Sequence, residues 1–281
     1  MRTTAATPEV TPMQDSAIAW CDKTWNPTHG CSKVSAGCGL GEDGEEVGAG
    51  CYAETISRMH GHTDEPWTAE NADENVTLQR HKLDEPYDID EPARVFVNSM
   101  SDLFHAEVPD AYIEDVFAVM RNCPHVIFQI LTKRPGRAAH MTLEWPPNVW
   151  MGTSVEDDRV TERLDLLRPC DADVLFVSFE PLIGPVGDVD LAGYDWAIVG
   201  GESGDGYREM EHEWARSIRD QCRRDDVRFF FKQSAGRHPE TGTDLTVEHE
   251  EAGVYVQKTI RELPEPHAAV RDARENLEAD A

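Results

Sequence analysis

At 281 residues, 40% of them apolar, the chain can bury one barrel-sized core. Its 54 acidic against 26 basic residues give a net charge of −28, which disfavours a surface that binds polyanions broadly and suits a protein kept soluble at high salt, as in a halophilic source. No apolar run reaches membrane-spanning length, and residues 1–15 lack a charged segment followed by an apolar one. The expectation is a cytoplasmic protein with neither a membrane span nor a signal peptide.

In chain order, residues 1–16 read as a disordered lead and residues 18–25 as a first strand. Three cysteines follow, each preceded by glycine: Gly30-Cys31, Gly37-Cys38 and Gly50-Cys51. Glycine lets the backbone bend tightly around a bulky inorganic centre. Three thiolates form a ligand set, and three instead of four leave one coordination position open. Seven cysteines in a cytoplasmic chain of this size point to metal binding more than to a disulfide framework. Residues 52–60 predict a helix, and residues 61–91 a polar loop with a small helix.

From Arg94 onward, short β-branched or aromatic runs alternate with amphipathic stretches. Strands are predicted at 94–98, 126–131, 148–153, 174–179, 196–199 and 229–232, and helices at 112–121, 136–141, 159–167 and 211–224. This alternation predicts an α/β fold, a partial or complete parallel (β/α) barrel over residues 17–236, with a doubly wound sheet as the alternative. Residues 237–281 lose the alternation. They read as a peripheral extension with a hairpin near Thr241-Gly242-Thr243 and a charged terminal helix or tail.

In such barrels the active site gathers at the C-terminal ends of the strands. Those ends carry Asn98-Ser99-Met100-Ser101-Asp102 with His105 close behind, Lys133-Arg134, Ser154-Val155-Glu156-Asp157, Glu180, Gly200-Gly201-Glu202 and Lys232-Gln233. A carboxylate there can accept hydrogen bonds from ribose hydroxyls or an ammonium group, and Lys133-Arg134 can pair with a carboxylate or phosphate. The ordinary alternative for each is a polar loop residue. His105 is either a proton carrier or surface decoration. Trp150, Trp196 and Trp214 read as core, and Cys123, Cys170 and Cys222 as buried or free thiols. A rival reading of the loop is a structural zinc on Cys31, Cys38 and Cys51 plus His29 or Cys21, in a non-catalytic scaffold or nucleic-acid-associated barrel protein. A metal-dependent hydrolase is weaker, because the strand ends lack paired histidines.

Several blocks together resemble a phage-associated family of radical-SAM-like proteins found with three-Cys-motif partner proteins. They are Thr24-Trp25-Asn26-Pro27 with Gly30-Cys31, Gly37-Cys38, Cys51-Tyr52-Ala53-Glu54, Phe96 through His105, Leu131 through Pro135, Ser178 through Leu182, Trp196 through Gly204 and Phe230-Phe231-Lys232-Gln233. The resemblance implies a partial (β/α) barrel and a [4Fe–4S] cluster on Cys31, Cys38 and Cys51. It also implies S-adenosylmethionine at the open iron, cleaved reductively to abstract hydrogen from a substrate, with nucleic acid or a nucleotide as the substrate class and an electron donor as a further partner. On this hypothesis Ser99, Ser101 and Asp102 contact the cofactor, with Glu180, Gly200, Gly201 and Glu202 next. Lys133 and Arg134 hold the substrate or the methionine carboxylate. The twelve residues 39–50 between the second and third cysteines exceed the family's spacing. A glycine-rich loop of that length closes at modest entropic cost.

Overall fold

The structure, a computed structural model, describes residues 13–248 and 254–280. Its strands are β1 (Gln14–Asp15), β2 (Lys23–Trp25), β3 (Thr28–His29), β4 (Thr77–Leu78), β5 (Arg94–Val97), β6 (Ile127–Thr132), β7 (Val149–Ser154), β8 (Val174–Phe179), β9 (Trp196–Gly200), β10 (Arg228–Gln233), β11 (Leu245–Glu248) and β12 (Tyr255–Lys258). Its α-helices are α1 (Tyr52–Met59), α2 (Ala72–Asn75), α3 (Asp110–Asn122), α4 (Pro135–His140), α5 (Glu162–Leu167), α6 (His212–Arg224) and α7 (Ala268–Asp280). No helix among the described residues is long and apolar enough to cross a membrane.

Eight strands form one sheet in the order β1-β2-β5-β6-β7-β8-β9-β10, parallel throughout except for β1. Sequential parallel neighbours need crossovers, and α3 to α6 supply them after β5, β6, β7 and β9. β1 and β10 are the two edges, so the sheet is open among the described residues.

Alternate side chains divide two cores. Val95, Val97, Phe128, Ile130, Met151, Val177, Val199 and Phe231 face the helices and pack with Ile113, Phe117, Leu164 and Ile218. The opposite face gathers Trp20, Ile127, Trp150, Phe176, Trp196, Ile198 and Phe230. The Trp20 ring lies 4.7 Å from Phe96 on β5 and 6.2 Å from Trp196 on β9. Those strands are four ladder steps apart, about 19 Å in a flat sheet. The sheet is therefore strongly curled around its aromatic interior.

The predicted strand at 18–25 is shortened to β2. Residues 16–22 turn back instead, closed by Ser16 N donating to Asp22 O at 2.8 Å and Cys21 N to Ile18 O at 3.2 Å. That turn lets Trp20 and Cys21 fill the interior of the curl. The predicted lead ends sooner, because Gln14 and Asp15 pair with β2, while residues 1–12 lie outside the described residues. Trp150 and Trp196 are buried as expected, as are Cys123, Cys170 and Cys222, whereas Trp214 is half-buried against the core. A hairpin does follow residue 236, but its strands are β11 and β12, beyond Thr241-Gly242-Thr243. Leu245 and Val247 join the helix-side core, and Val270 of α7 reaches the inner one. The chain around Arg261 lies along β10, where Phe231 N donates to Ile260 O at 2.8 Å. This covers an edge whose unpaired backbone would otherwise be exposed.

Candidate functional site

The cysteine loop leaves β2 and runs over the C-terminal ends of β5 to β7. Asn26 turns it, accepting hydrogen bonds from Ser99 Oγ at 3.2 Å and Met100 N at 3.0 Å. Gly30 has φ +86° and lies so close to Asn75 O that any Cβ would collide, so only glycine fits. Its N–H donates to Met100 O at 3.1 Å, which ties the entry to Cys31 onto the loop after β5.

Cys31, Cys38 and Cys51 line one cavity of about 230 Å³, together with Ser99, Ser101, Asp102, Lys133 and Arg134. The three thiols are half-buried and unpaired. Burial pushes the Cys31 thiol up to about 12 and raises that of Cys51, whose thiolate is favoured in turn by the backbone N–H groups of Glu54 and Ala53 at the start of α1. At neutral pH the Cys31 and Cys51 thiols hold their protons until a metal displaces them. Among the described residues no three His, Cys, Asp or Glu side chains stand close enough to share one metal ion. A cubane takes each thiolate on a different iron, so its ligands spread more widely than those of a single ion.

Charged groups brace the loop from several strands. Arg134 Nη1 lies 3.5 Å from Cys31 Sγ and 3.0 Å from Asp102 Oδ2, while its Nη2 donates to Ser32 O at 2.9 Å. Asp102, 5% exposed, also accepts from Thr132 Oγ1 at 2.7 Å, Phe104 N at 3.0 Å and Lys133 N at 3.1 Å. Four donors on two oxygens make it an anchor for the β6 end. Lys33 bridges Glu46 at 2.6 Å and Glu54 at 2.9 Å, joining the loop to α1.

Glu156, 1% exposed, accepts from Ser35 Oγ at 2.8 Å and Arg163 Nη1 at 3.0 Å. Its side chain fills the space where a Cβ on Gly37 would stand. Sequence reading placed Glu156 at a strand end without assigning it a role. The glycine before Cys38 was the available signal, since close approach by another group is one reason for glycine.

The polar residues after β5 are mostly committed to one another. Asn98 Nδ2 donates to Thr28 Oγ1 at 2.9 Å, Thr28 Oγ1 and Ser101 Oγ are 2.8 Å apart, and Ser101 Oγ donates to Thr28 O at 2.9 Å. Asn98 and Lys133 on the cavity wall can each take a further partner. Asn98, 2% exposed, has an Oδ1 with no partner among the described residues. Lys133 Nζ makes no hydrogen bond among the described residues, its nearest carboxylate being Glu156 at 3.6 Å. A buried unpaired acceptor on the same wall as an ammonium held only by a long ion pair suits a ligand carrying both an amine and a carboxylate.

Glu180, Gly200, Gly201 and Glu202, expected beside these groups, do not line this cavity. Glu180 pairs with Lys232 at 3.0 Å and occupies the space beside Gly200. Gly201 lies against the backbone of Ala235 and exchanges hydrogen bonds with Gln233. Glu202 takes both Arg208 Nε at 3.0 Å and Arg208 Nη2 at 2.5 Å. The side-chain partners offered for a zinc site are also engaged elsewhere. His29 Nε2 is 2.9 Å from Ser57 Oγ, and Cys21 packs in the inner core and donates to Ser16 Oγ at 3.2 Å.

His105 is buried, not surface decoration. Its Nδ1 accepts from Glu107 N at 3.1 Å, so Nε2 carries the proton and donates to Ser32 Oγ at 2.8 Å. Burial, with the Arg134 charge beside it, lowers its pKa to about 4. The unfolded chain then binds this proton below about pH 6.5, so stability falls as pH drops from 6.5 towards 4. The full term is about 3 kcal/mol. Urea denaturation of the wild type and His105→Gln across that range should show the wild type losing the extra stability. Parallel pH profiles would sink this assignment.

No curated protein matches the chain in sequence. Among solved structures it is similar to spore photoproduct lyase complexed with dinucleoside spore photoproduct. The TM-score is 0.41 and the identity 8%, over 97% of this chain and 77% of that chain. Residues 15–264, which include the whole sheet from β2 to β10 and all three cysteines of the loop, match a family model described as protein of unknown function (DUF5131), and the chain belongs to that family.

Proposed function

We propose that the cysteine cavity is the active site of a radical-SAM-type iron–sulfur enzyme, with a [4Fe–4S] cluster on Cys31, Cys38 and Cys51 and S-adenosylmethionine beside it. One observation carries the reading. A single cavity is lined by three thiols, a buried Asn98 Oδ1 with no partner among the described residues, and the Lys133 ammonium, which is held only by a 3.6 Å ion pair with Glu156. The donor set fits the group, since cluster ligands are thiolates and three leave one iron open. Arg134 and Lys133 place two cations beside the anionic thiolates. When bound, such a cluster supplies the electron that cleaves S-adenosylmethionine, so that a hydrogen atom can be taken from a substrate.

This chain's residues then divide the work. Lys133 receives the methionine carboxylate and Asn98 Oδ1 accepts from its amino group. Arg134, fastened by Asp102, keeps Cys31 in place and is not free to grip a substrate. Ser99, Ser101 and Thr28 hold the wall rigid. A nucleotide or nucleic-acid substrate, a separate electron donor and a three-Cys-motif partner protein follow from the family resemblance and form part of the same proposal.

Anaerobic reconstitution with iron and sulfide tests it. The expected product is a coloured protein with about four irons per chain. With reductant and S-adenosylmethionine it should release 5′-deoxyadenosine. A colourless protein holding one zinc would replace this reading with the structural clip. Lys133→Met should keep its iron and bind S-adenosylmethionine about ten- to a hundred-fold more weakly, the loss of one charge-assisted contact. Unchanged affinity in a titration would remove Lys133 from the role.

A further inference from the structure

The twelve residues that separate Cys38 from Cys51 do not stretch the site. A Cβ on Gly39 would stand 2.6 Å from Gly50 Cα. The two Cα atoms are therefore within about 4.1 Å, close to the ~3.8 Å of peptide-linked neighbours. The segment between them folds on itself. Val47 N donates to Gly39 O at 3.1 Å, Gly41 N to Glu45 O at 2.8 Å, and Leu40 bridges Glu46. None of residues 39–50 lines the cavity, although Cys38 and Cys51 on either side do.

Apart from the exposed Glu46 carboxylate, which pairs with Lys33 in the cysteine loop at 2.6 Å, its outward contacts run to the far half of the sheet. Gly48, at φ +68°, packs on the Glu202–Arg208 pair so closely that a Cβ would lie 2.5 Å from Arg208 Nε. A Cβ on Gly204 would meet Ala49 at 3.0 Å, and one on Gly206 would meet Gly48 O at 3.3 Å. Glu42 Oε1 lies 3.7 Å from Arg159 in the loop after β7. The loop after β2 is thus fastened to the loop after β9, near the other edge of an open sheet.

We propose that residues 40–49 are a strap dispensable for the geometry of the three cysteines, and that its work is to hold the loop after β9 in place over the strand ends. Glu202 and Arg208 are then positioning residues that latch the strap. The inference uses the same cysteine site as the proposed function, but its main readouts need no cluster.

The test removes residues 40–49 from the full chain so that Gly39 joins Gly50. In the metal-free protein, alkylation of Cys38 and Cys51 followed by peptide mass spectrometry should stay within about two-fold of wild type. Amide hydrogen exchange over residues 201–208 should quicken about ten-fold, as a loop that has lost its packing opens more often. Gly48→Val, with the segment kept, should quicken exchange in the same loop, and it decides the matter if the deletion does not fold. Unchanged exchange in the folded variants would overturn the strap. So would a deletion in which Cys38 or Cys51 becomes freely alkylated, or one that loses iron uptake while the wild type keeps it. A wild type that takes up no iron fails the cluster reading and leaves the alkylation and exchange results standing on their own.

Discussion

Cys51→Ala is expected to lose the iron–sulfur chromophore on reconstitution and to release at least about a hundred-fold less 5′-deoxyadenosine than wild type, whereas Cys21→Ala is expected to keep both. The contrast follows from placement. Cys51 lines the cavity with Cys31 and Cys38, and the backbone N–H groups that open α1 favour its thiolate. Cys21 lies in the inner core beside Trp20, hydrogen-bonded to Ser16, where burial pushes its thiol to about 11. A thiol with that surrounding is a small apolar filler. Iron and acid-labile sulfide per chain, with the absorption spectrum, measure the outcome. Loss of metal in Cys21→Ala together with retention in Cys51→Ala would exchange the two assignments.

Asp102→Ala is expected to destabilise the protein by about 3–5 kcal/mol, because it leaves a partly buried guanidinium without its carboxylate. Arg134 would keep only its contacts to Ser32 and Cys31, and the hydroxyl of Thr132 and the N–H groups of Phe104 and Lys133 would lose their acceptor. Pairing Asp102→Leu with Arg134→Met removes both charges and should recover much of the stability, since an apolar pair of similar volume often replaces a buried ion pair at little cost. The paired variant should still assemble its cluster poorly, because nothing then fastens Cys31 to the end of β6. Denaturation midpoints and iron content, measured on the same three proteins, separate the two effects. If the paired variant recovers both, Arg134 has no part in holding the loop.

Much of the fold was legible from local pattern. The β-branched and aromatic runs fell where β5 to β10 stand, and the helical spacing of Ile113, Val116, Phe117 and Met120 lies on α3. A pattern of period two or 3.6 records which face a residue offers to the core, and the chain carries that record locally. The first strand was read too long for the same reason. Ile18 to Cys21 are as apolar as a strand, but their burial comes from a turn that drops Trp20 among Phe96 and Trp196.

The site was legible in its parts and not in its division of labour. Lys133 and Arg134 are adjacent and looked interchangeable. Both lie between the end of β6 and the start of α4, yet the Lys133 ammonium meets the cavity wall with only a 3.6 Å ion pair to Glu156, while Arg134, just before α4, is spent on Asp102, Ser32 and Cys31. Glu180 and Glu202 read as ligands because strand ends in a barrel converge. The structure gives each a cation of its own, Lys232 and Arg208, and places neither on the cavity wall.

By itself the sequence determined an alternating α/β chain with three cysteines and polar strand ends, because residue type, spacing and period are properties of neighbours along the chain. Only the tertiary structure decided that Cys38 and Cys51 line one cavity across twelve residues. The return of Gly50 to Gly39, the seat of Gly48 on Glu202 and Arg208, and the thrust of Glu156 against Gly37 are contacts between groups remote in sequence. Such contacts leave only glycines as their local trace, and a glycine marks that something comes close without saying what.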